Sequence, residues 1–127
     1  MLAILPFVQP FYLPSLQVAE AESPEEAAQI GRSTQRTRPD LIRSDWCTEL
    51  KIAIMLGALR AKFSAHAGPR EMLLSSAGMD LAEASPNDFF WGRGFDGSGE
   101  NQLGKLLVQV REEILSGSRS ASSTSEY

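Results

Sequence analysis

One cysteine and one histidine in 127 residues remove several chemistries at once. No disulfide framework can form within the chain, and no metal site of the cysteine–histidine kind can be assembled. A Ser-His-Asp triad would have to use His66, which follows an expected helix and precedes Gly68-Pro69, the setting of an ordinary surface or packing histidine. Cys47 lies beside Trp46 near a helix start, where a lowered thiol pKa is conceivable, but a buried, small apolar role suits it better. Charge is missing from the first nineteen residues, MLAILPFVQPFYLPSLQVA, and so is an unbroken apolar run, because Pro6, Pro10 and Pro14 interrupt them. Prolines at that spacing break any helix, which excludes a transmembrane span there, and without a basic start the segment makes a poor secretory signal. The sequence therefore predicts an extended arm over 1–15 and a cytoplasmic protein. From 117 onward, GSRSASSTSEY has no apolar periodicity and predicts a disordered tail. No internal repeat is present.

The composition is that of a globular domain, with 43% hydrophobic and 22% charged residues. The length suits a single domain. The net charge of −4 argues against polyanion binding driven by overall charge, but the distribution is uneven. Residues 32–70 carry a balance of +5 and the rest of the chain −9, so a basic middle can face an anionic ligand.

Helix signals follow in order. Ser23-Pro24-Glu25-Glu26 offers an N-cap, a proline at the first position and carboxylates in the first turn, and Gly31 is a stop, with Arg32 just past it. Ser44-Asp45 can cap a longer helix over 44–65 whose apolar positions Ile52, Met55, Leu56, Leu59 and Phe63 share one face. A short helix is expected over 69–77, ending at Gly78. A final one over 101–115 carries Leu103, Leu106, Leu107, Val110 and Ile114 in the same rhythm. The resulting fold class is α+β, predominantly helical, with a short strand around Leu81.

The interval between the last two helices, MDLAEASPNDFFWGRGFDGSGE, combines carboxylates, a tryptophan and closely spaced glycines. Two nucleotide motifs occur there by accident. Gly92 to Gly97 satisfies GxGxxG, but no strand–helix–strand context surrounds it. Gly99 to Lys105 satisfies GxxxxGK, yet Leu106 stands where a magnesium-binding Ser or Thr is needed, and the apolar rhythm puts Gly104-Lys105 inside a helix. The glycines serve either a mobile loop needing positive φ or a flexible wall around a ligand. In the second case Trp91 offers a flat face to a heterocycle, Asp88 and Glu83 offer charge to a developing cation, and the loop backbone can approach a sugar closely.

The run LAEASPNDFFWGRGFDGSGENQLGKLLVQVREEIL resembles the C-terminal signature of the NADAR family, the YbiA-like N-glycosidases, in which Leu-x-Glu, Asn-Asp, Trp-Gly-x-Gly and Asn-x-Leu-Gly-x-Leu-Leu recur. SPEEAAQIGR, the Asp-Trp of RSDW, and KIAIMLGALRAKFSAH resemble it as well, so the likeness runs from about residue 16 to 116. It implies hydrolysis of an N-glycosidic bond between ribose and a nitrogenous group, in phosphorylated ribosylaminouracil intermediates of riboflavin biosynthesis or in ADP-ribosylated guanine. Carried over to matching positions, it implies that Asp88 and Glu83 orient the ribose or activate water, and that Trp46 and Trp91 flank the base. Arg32 and Lys51 would hold phosphate, while Gly92, Gly94 and Asn101 would form the loop closing on the ligand. No metal or cofactor is implied, and no membrane partner. Nucleic acid would be a partner only if ADP-ribosylated guanine is the substrate.

Family members also carry an upstream Glu-His-x-x-Gln segment, and this chain contains no Glu-His pair. The proline-punctuated arm stands in its place, which reads as a domain lacking its N-terminal part. Three expectations follow: a working N-glycosidase, an inactive module binding ADP-ribose or a ribosyl phosphate, or a truncated product whose exposed apolar surface promotes self-association.

Overall fold

The computed structural model describes residues 17–122, with side chains through Ser118. The expected arm over 1–15 and the last residues of the expected tail, 123–127, lie outside the described residues. The chain divides into two compact units, before and after Cys47/Thr48.

The first unit holds helix α1 (Pro24–Thr37) and a single 3-10 turn (Pro39–Leu41). Its start is the expected one: Ser23 Oγ accepts from the Glu26 N–H at 3.1 Å, and Glu26 Oε2 reaches back to the Glu22 N–H at 2.7 Å. Gly31 does not end it. Nothing lies within 4 Å of where its Cβ would be, the helix runs on through Thr37, and Arg32 sits inside it rather than past a stop. A single glycine costs about 1 kcal/mol in a helix interior, which the flanking turns outweigh. Arg38 and Arg43 form forked pairs with Asp40 and Asp45, at 2.8 Å and 2.6 Å. Two charges of the basic middle are thereby neutralised locally. Asp45 is thus an ion-pair partner, and the helix expected from residue 44 begins at Thr48.

The second unit contains α2 (Thr48–Ala65), α3 (Ala67–Ser75) and α4 (Gln102–Ser122). They pack pairwise around Leu59, Phe63, Leu73, Leu106 and Val110, with Ile52, Met55, Leu56, Leu103, Leu107 and Ile114 partly buried against them. These are the stripes expected from the helical rhythm, together with Leu73 from α3. α4 continues to Ser122, beyond the expected end at 115 and into the segment expected to be disordered. Among the described residues there is no strand, and the segment around Leu81 is an irregular connection. The observed fold is predominantly helical. Cys47 is exposed and His66 is exposed, so the buried role expected for Cys47 does not hold. No helix of the described residues is long and apolar enough to cross a membrane.

One ion pair ties α2 to α4. Arg60 donates to both carboxylate oxygens of Glu113, at 2.6 and 2.9 Å, and Gln109 adds a third donor at 3.1 Å. The guanidinium first, then the amide, holds the Glu113 carboxyl down to about 2 from an ordinary 4.5. Because the folded-state value is depressed, the unfolded chain binds more protons between these two values. The stabilisation is therefore complete above the unfolded pKa and disappears as pH falls through about 2. Both side chains are roughly half exposed, so the effect is modest and screened by salt. Thermal melts of Glu113→Gln should show a shallower acid limb than the native chain below pH 4.5 at low salt, with the difference shrinking at high salt. An identical acid limb would remove this pair from the account.

Candidate functional site

The long connection between α3 and α4 is tightly organised. Asp88 begins the ordering: its Oδ1 accepts the backbone N–H groups of Phe90, Trp91 and Gly92, at 3.0, 2.6 and 3.4 Å. A carboxylate gathering successive N–H groups is an N-cap in miniature, and it orients the peptide units of residues 89–92 in one direction. Their carbonyls consequently face the start of α4. Phe89 O accepts from Glu100 N–H, Gly92 O from Asn101 N–H, Phe90 O from Gln102 N–H and Trp91 O from Leu103 N–H, all at 2.8–3.1 Å. The turn thus caps two of the free N–H groups in the first turn of α4, those of Gln102 and Leu103. Asp88 Oδ2 has no hydrogen-bond partner among the described residues.

Asn101 closes the base of the loop. In the left-handed region with φ +51°, it donates through Nδ2 to Leu81 O at 2.9 Å and accepts through Oδ1 from Glu83 N–H at 3.0 Å. Its amide thereby pairs with the 81–83 backbone as a neighbouring strand would, although those partners lie eighteen and twenty residues away in sequence. Asn101→Ala removes both bonds, leaves a half-buried N–H and C=O unpaired and places alanine at a positive φ. A loss of about 2–3 kcal/mol is expected from urea unfolding. A loss below about 0.5 kcal/mol would show that the loop base holds without this clamp.

Glu83 is half-buried, and its Oε1 accepts the Ser85 N–H at 3.1 Å. Its carbonyl accepts the Arg93 N–H at 3.0 Å. Gly92 is buried between Glu83 and Asp88: a Cβ there would lie 2.9 Å from each carbonyl, closer than real Cβ atoms come. Gly94 has φ +68° and lies against Phe89, whose ring atoms would be 2.6 Å or less from a Cβ. The expected glycine requirement applies at Gly92 for close approach and at Gly94 for handedness as well, and in the same loop at Gly97 for handedness and at Gly99 for close approach.

Lys51, half-buried on α2, places its ammonium 3.5 Å from the centroid of the Phe90 ring and 5.7 Å from that of Trp91. The two rings meet edge to face at 4.7 Å. Trp91 is half-buried and packs against the core, so it is an anchored rather than a free-standing face. Asp88, Glu83, Lys51, Trp91, Gly92, Gly94 and Asn101 all belong to the second unit. Arg32, exposed on α1, and Trp46, 45% exposed, belong to the first.

Reading the residues alone missed Phe90, the seat of the Lys51 ammonium, although its place beside Trp91 was a visible signal. It also missed the clamp geometry of Asn101. No group of acidic, histidine or cysteine residues among the described ones could hold a metal ion.

A profile of the NADAR domain matches residues 11–115 of this chain. The chain belongs to the NADAR family. The N-glycosidase YbiA of Escherichia coli is 41% identical over 98 residues, which make up 77% of this chain and 58% of YbiA. The chloroplastic riboflavin biosynthesis protein PYRR of Arabidopsis thaliana is 52% identical over 99 residues, 78% of this chain and 16% of that protein. The NMR structure of the E. coli protein YbiA superposes with a TM-score of 0.68 at 40% identity, over 78% of this chain and 56% of that structure. The chain thus spans a little over half the length of YbiA and about a sixth of the plant protein. In this NADAR chain, the Asn-Asp-x-x-Trp-Gly-x-Gly run forms the Asp88-nucleated turn, and the following asparagine is the clamp.

Proposed function

We propose that this NADAR chain supports N-glycosidase chemistry, breaking the bond between a ribose and a nitrogenous group. The substrate would be a phosphorylated ribosylaminouracil or an ADP-ribosylated guanine. The observation that carries the reading is the division of labour within Asp88. One oxygen is fixed by three backbone donors while the other is left without a partner. A carboxylate held in that way cannot turn aside, and its second oxygen is available to a reacting group.

As the C–N bond lengthens, the electron pair leaves with the base and positive charge develops on the ribose. A fixed anionic oxygen stabilises that charge or takes a proton from the attacking water. Glu83 would assist from the neighbouring segment. Lys51, resting on the Phe90 face, would meet substrate phosphate, with Trp91 bounding the base. The loop backbone at Gly92 and Gly94 would approach the sugar, and Asn101 would keep the loop closed. The α+β character expected for the complete family domain, a cytoplasmic location, and the absence of cofactor and metal from the reaction form part of the same proposal.

The test is incubation of the purified chain with a ribosylaminouracil phosphate and, separately, with ADP-ribosylated guanine, followed by chromatographic detection of released base. Base release from either supports the reading, and release from neither overturns it. In a second reading the chain binds the ribosyl phosphate without turnover. Calorimetric binding with no released base would select it.

A further inference from the structure

We infer that a cleft beside the glycine loop is a sugar-phosphate site distinct from the Asp88 carboxylate. The cleft, of about 430 Å3, is bounded by Asp80, Leu81, Arg93, Asn101, Gly104 and Lys105. Asp88, Glu83, Lys51 and Trp91 take no part in lining it.

Two cations converge there. Arg93 comes from the loop and Lys105 from the first turns of α4, and neither side chain has a carboxylate partner among the described residues. In the same unit Arg60 and Arg111 are each engaged by a glutamate, while Lys62 and Arg70, like Arg93 and Lys105, are not, so it is the shared cleft that sets Arg93 and Lys105 apart. Two unpaired cations facing one cleft produce a positive potential that an anion relieves. Their backbones are fixed: Arg93 N–H donates to Glu83 O at 3.0 Å, Arg93 O accepts from Gly99 N–H at 2.8 Å, and Lys105 N–H donates to Asn101 O at 3.1 Å. The charges are thus carried on ordered supports rather than on a loose tail.

The chemistry selects the ligand class. A guanidinium fork matches two phosphate oxygens, and an ammonium adds a further donor as a point charge. The Asp80 carboxylate in the same cleft disfavours a bare anion but accepts hydrogen bonds from hydroxyl groups. One phosphate joined to a polyol satisfies all three side chains, whereas inorganic phosphate satisfies two and is repelled by the third. Of the donors at the helix start, the Gln102 and Leu103 N–H groups are taken by the 89–92 turn. The inference goes beyond the N-glycosidase reading and does not require turnover.

The experiment is calorimetric titration of the full chain with ribose 5-phosphate, inorganic phosphate and ribose at low salt, with amide NMR shifts followed in parallel. Ribose 5-phosphate is expected to bind, phosphate more weakly and ribose not at all, with shifts at the Leu81 and Gly104 amides. Arg93→Gln and Lys105→Gln should each weaken ribose 5-phosphate about tenfold, since each removes one charge-assisted contact. Asp80→Asn should strengthen inorganic phosphate and erase the preference for the sugar phosphate. Asp88→Asn should leave this affinity within about twofold of the native value even where base release is lost, which separates failure of the two readings. The inference is overturned if the native chain shows no binding in the millimolar range. It is equally overturned if Arg93→Gln and Lys105→Gln bind like the native chain, or if Lys51→Gln alone abolishes binding.

Discussion

Asp88→Asn is expected to lower base release on the order of a thousandfold while the melting temperature stays nearly unchanged. The two halves of that statement rest on different oxygens of one side chain. Asparagine keeps an Oδ1, which accepts the N–H groups of Phe90, Trp91 and Gly92 as the carboxylate does. The turn therefore survives, and with it the carbonyls that cap α4. What changes is the second position, where an uncharged amide replaces an anionic oxygen and cannot stabilise a developing cation or accept a proton from water. Asp88→Ala separates the roles further: it removes the acceptor as well, and a stability loss of about 1–2 kcal/mol should appear beside the loss of activity. The measurement is base release by chromatography paired with thermal unfolding of both variants. If Asp88→Asn melted as low as Asp88→Ala, the residue would be structural and the catalytic assignment would fall.

Arg111→Met is expected to be the most destabilising single change in the second unit, lowering stability by about 3 kcal/mol and the melting temperature by on the order of 15 °C. Arg111 is only 3% exposed, yet it lies on the same helix as the core residues Leu106 and Val110. Its Nη1 donates to Ser76 O at 2.6 Å, to Met79 O at 2.9 Å and to Ser76 Oγ at 3.1 Å, while Nε meets Glu112 Oε1 at 3.3 Å. Those carbonyls lie at and just beyond the C-terminal end of α3, where unpaired oxygens and the helix dipole both favour a cation. The guanidinium therefore joins α4 to the end of α3 and to the chain leading into the glycine-rich loop. Methionine fills much of the volume but leaves the Met79 carbonyl unpaired, at about 1–3 kcal/mol before relaxation, and the Ser76 carbonyl with only the Met79 N–H, besides losing the charge at the end of α3. Arg111→Lys, which keeps a charge on a single nitrogen, should lose less than half as much. Urea unfolding checks both variants, and a native-like midpoint for Arg111→Met would show that water replaces the latch without cost.

Neither the latch nor the clamp was legible beforehand, and the reason is common to both. Arg111 and Asn101 are polar residues whose partners are backbone groups distant in sequence, so no local spacing announces them. The apolar faces are another matter. Leu59 and Phe63, like Leu106 and Val110, lie four residues apart, and a period near 3.6 suffices to place each pair on one side of a helix. The accidental nucleotide motifs were legible as accidents for the same reason, and Gly104-Lys105 does fall inside α4. Helix ends were read less well. Gly31 and the polar run after 115 look like stops, but a glycine in an otherwise adequate helix costs too little to end it. The strand expected near Leu81 is replaced by a segment whose backbone is paired to the Asn101 side chain, which supplies sheet-like hydrogen bonds without a sheet.

By itself the sequence determined the family, the amphipathic faces and the glycine-rich segment that carries the candidate site, because each is written in residues close together along the chain. Only the tertiary structure decided what those residues touch. It split Asp88 between a turn and an available oxygen, set Lys51 on Phe90, and turned Asn101 inward to hold the loop. The physical reason is that a polar side chain takes its role from whichever donors and acceptors folding brings within about 3 Å, and that choice is made in space, not along the chain.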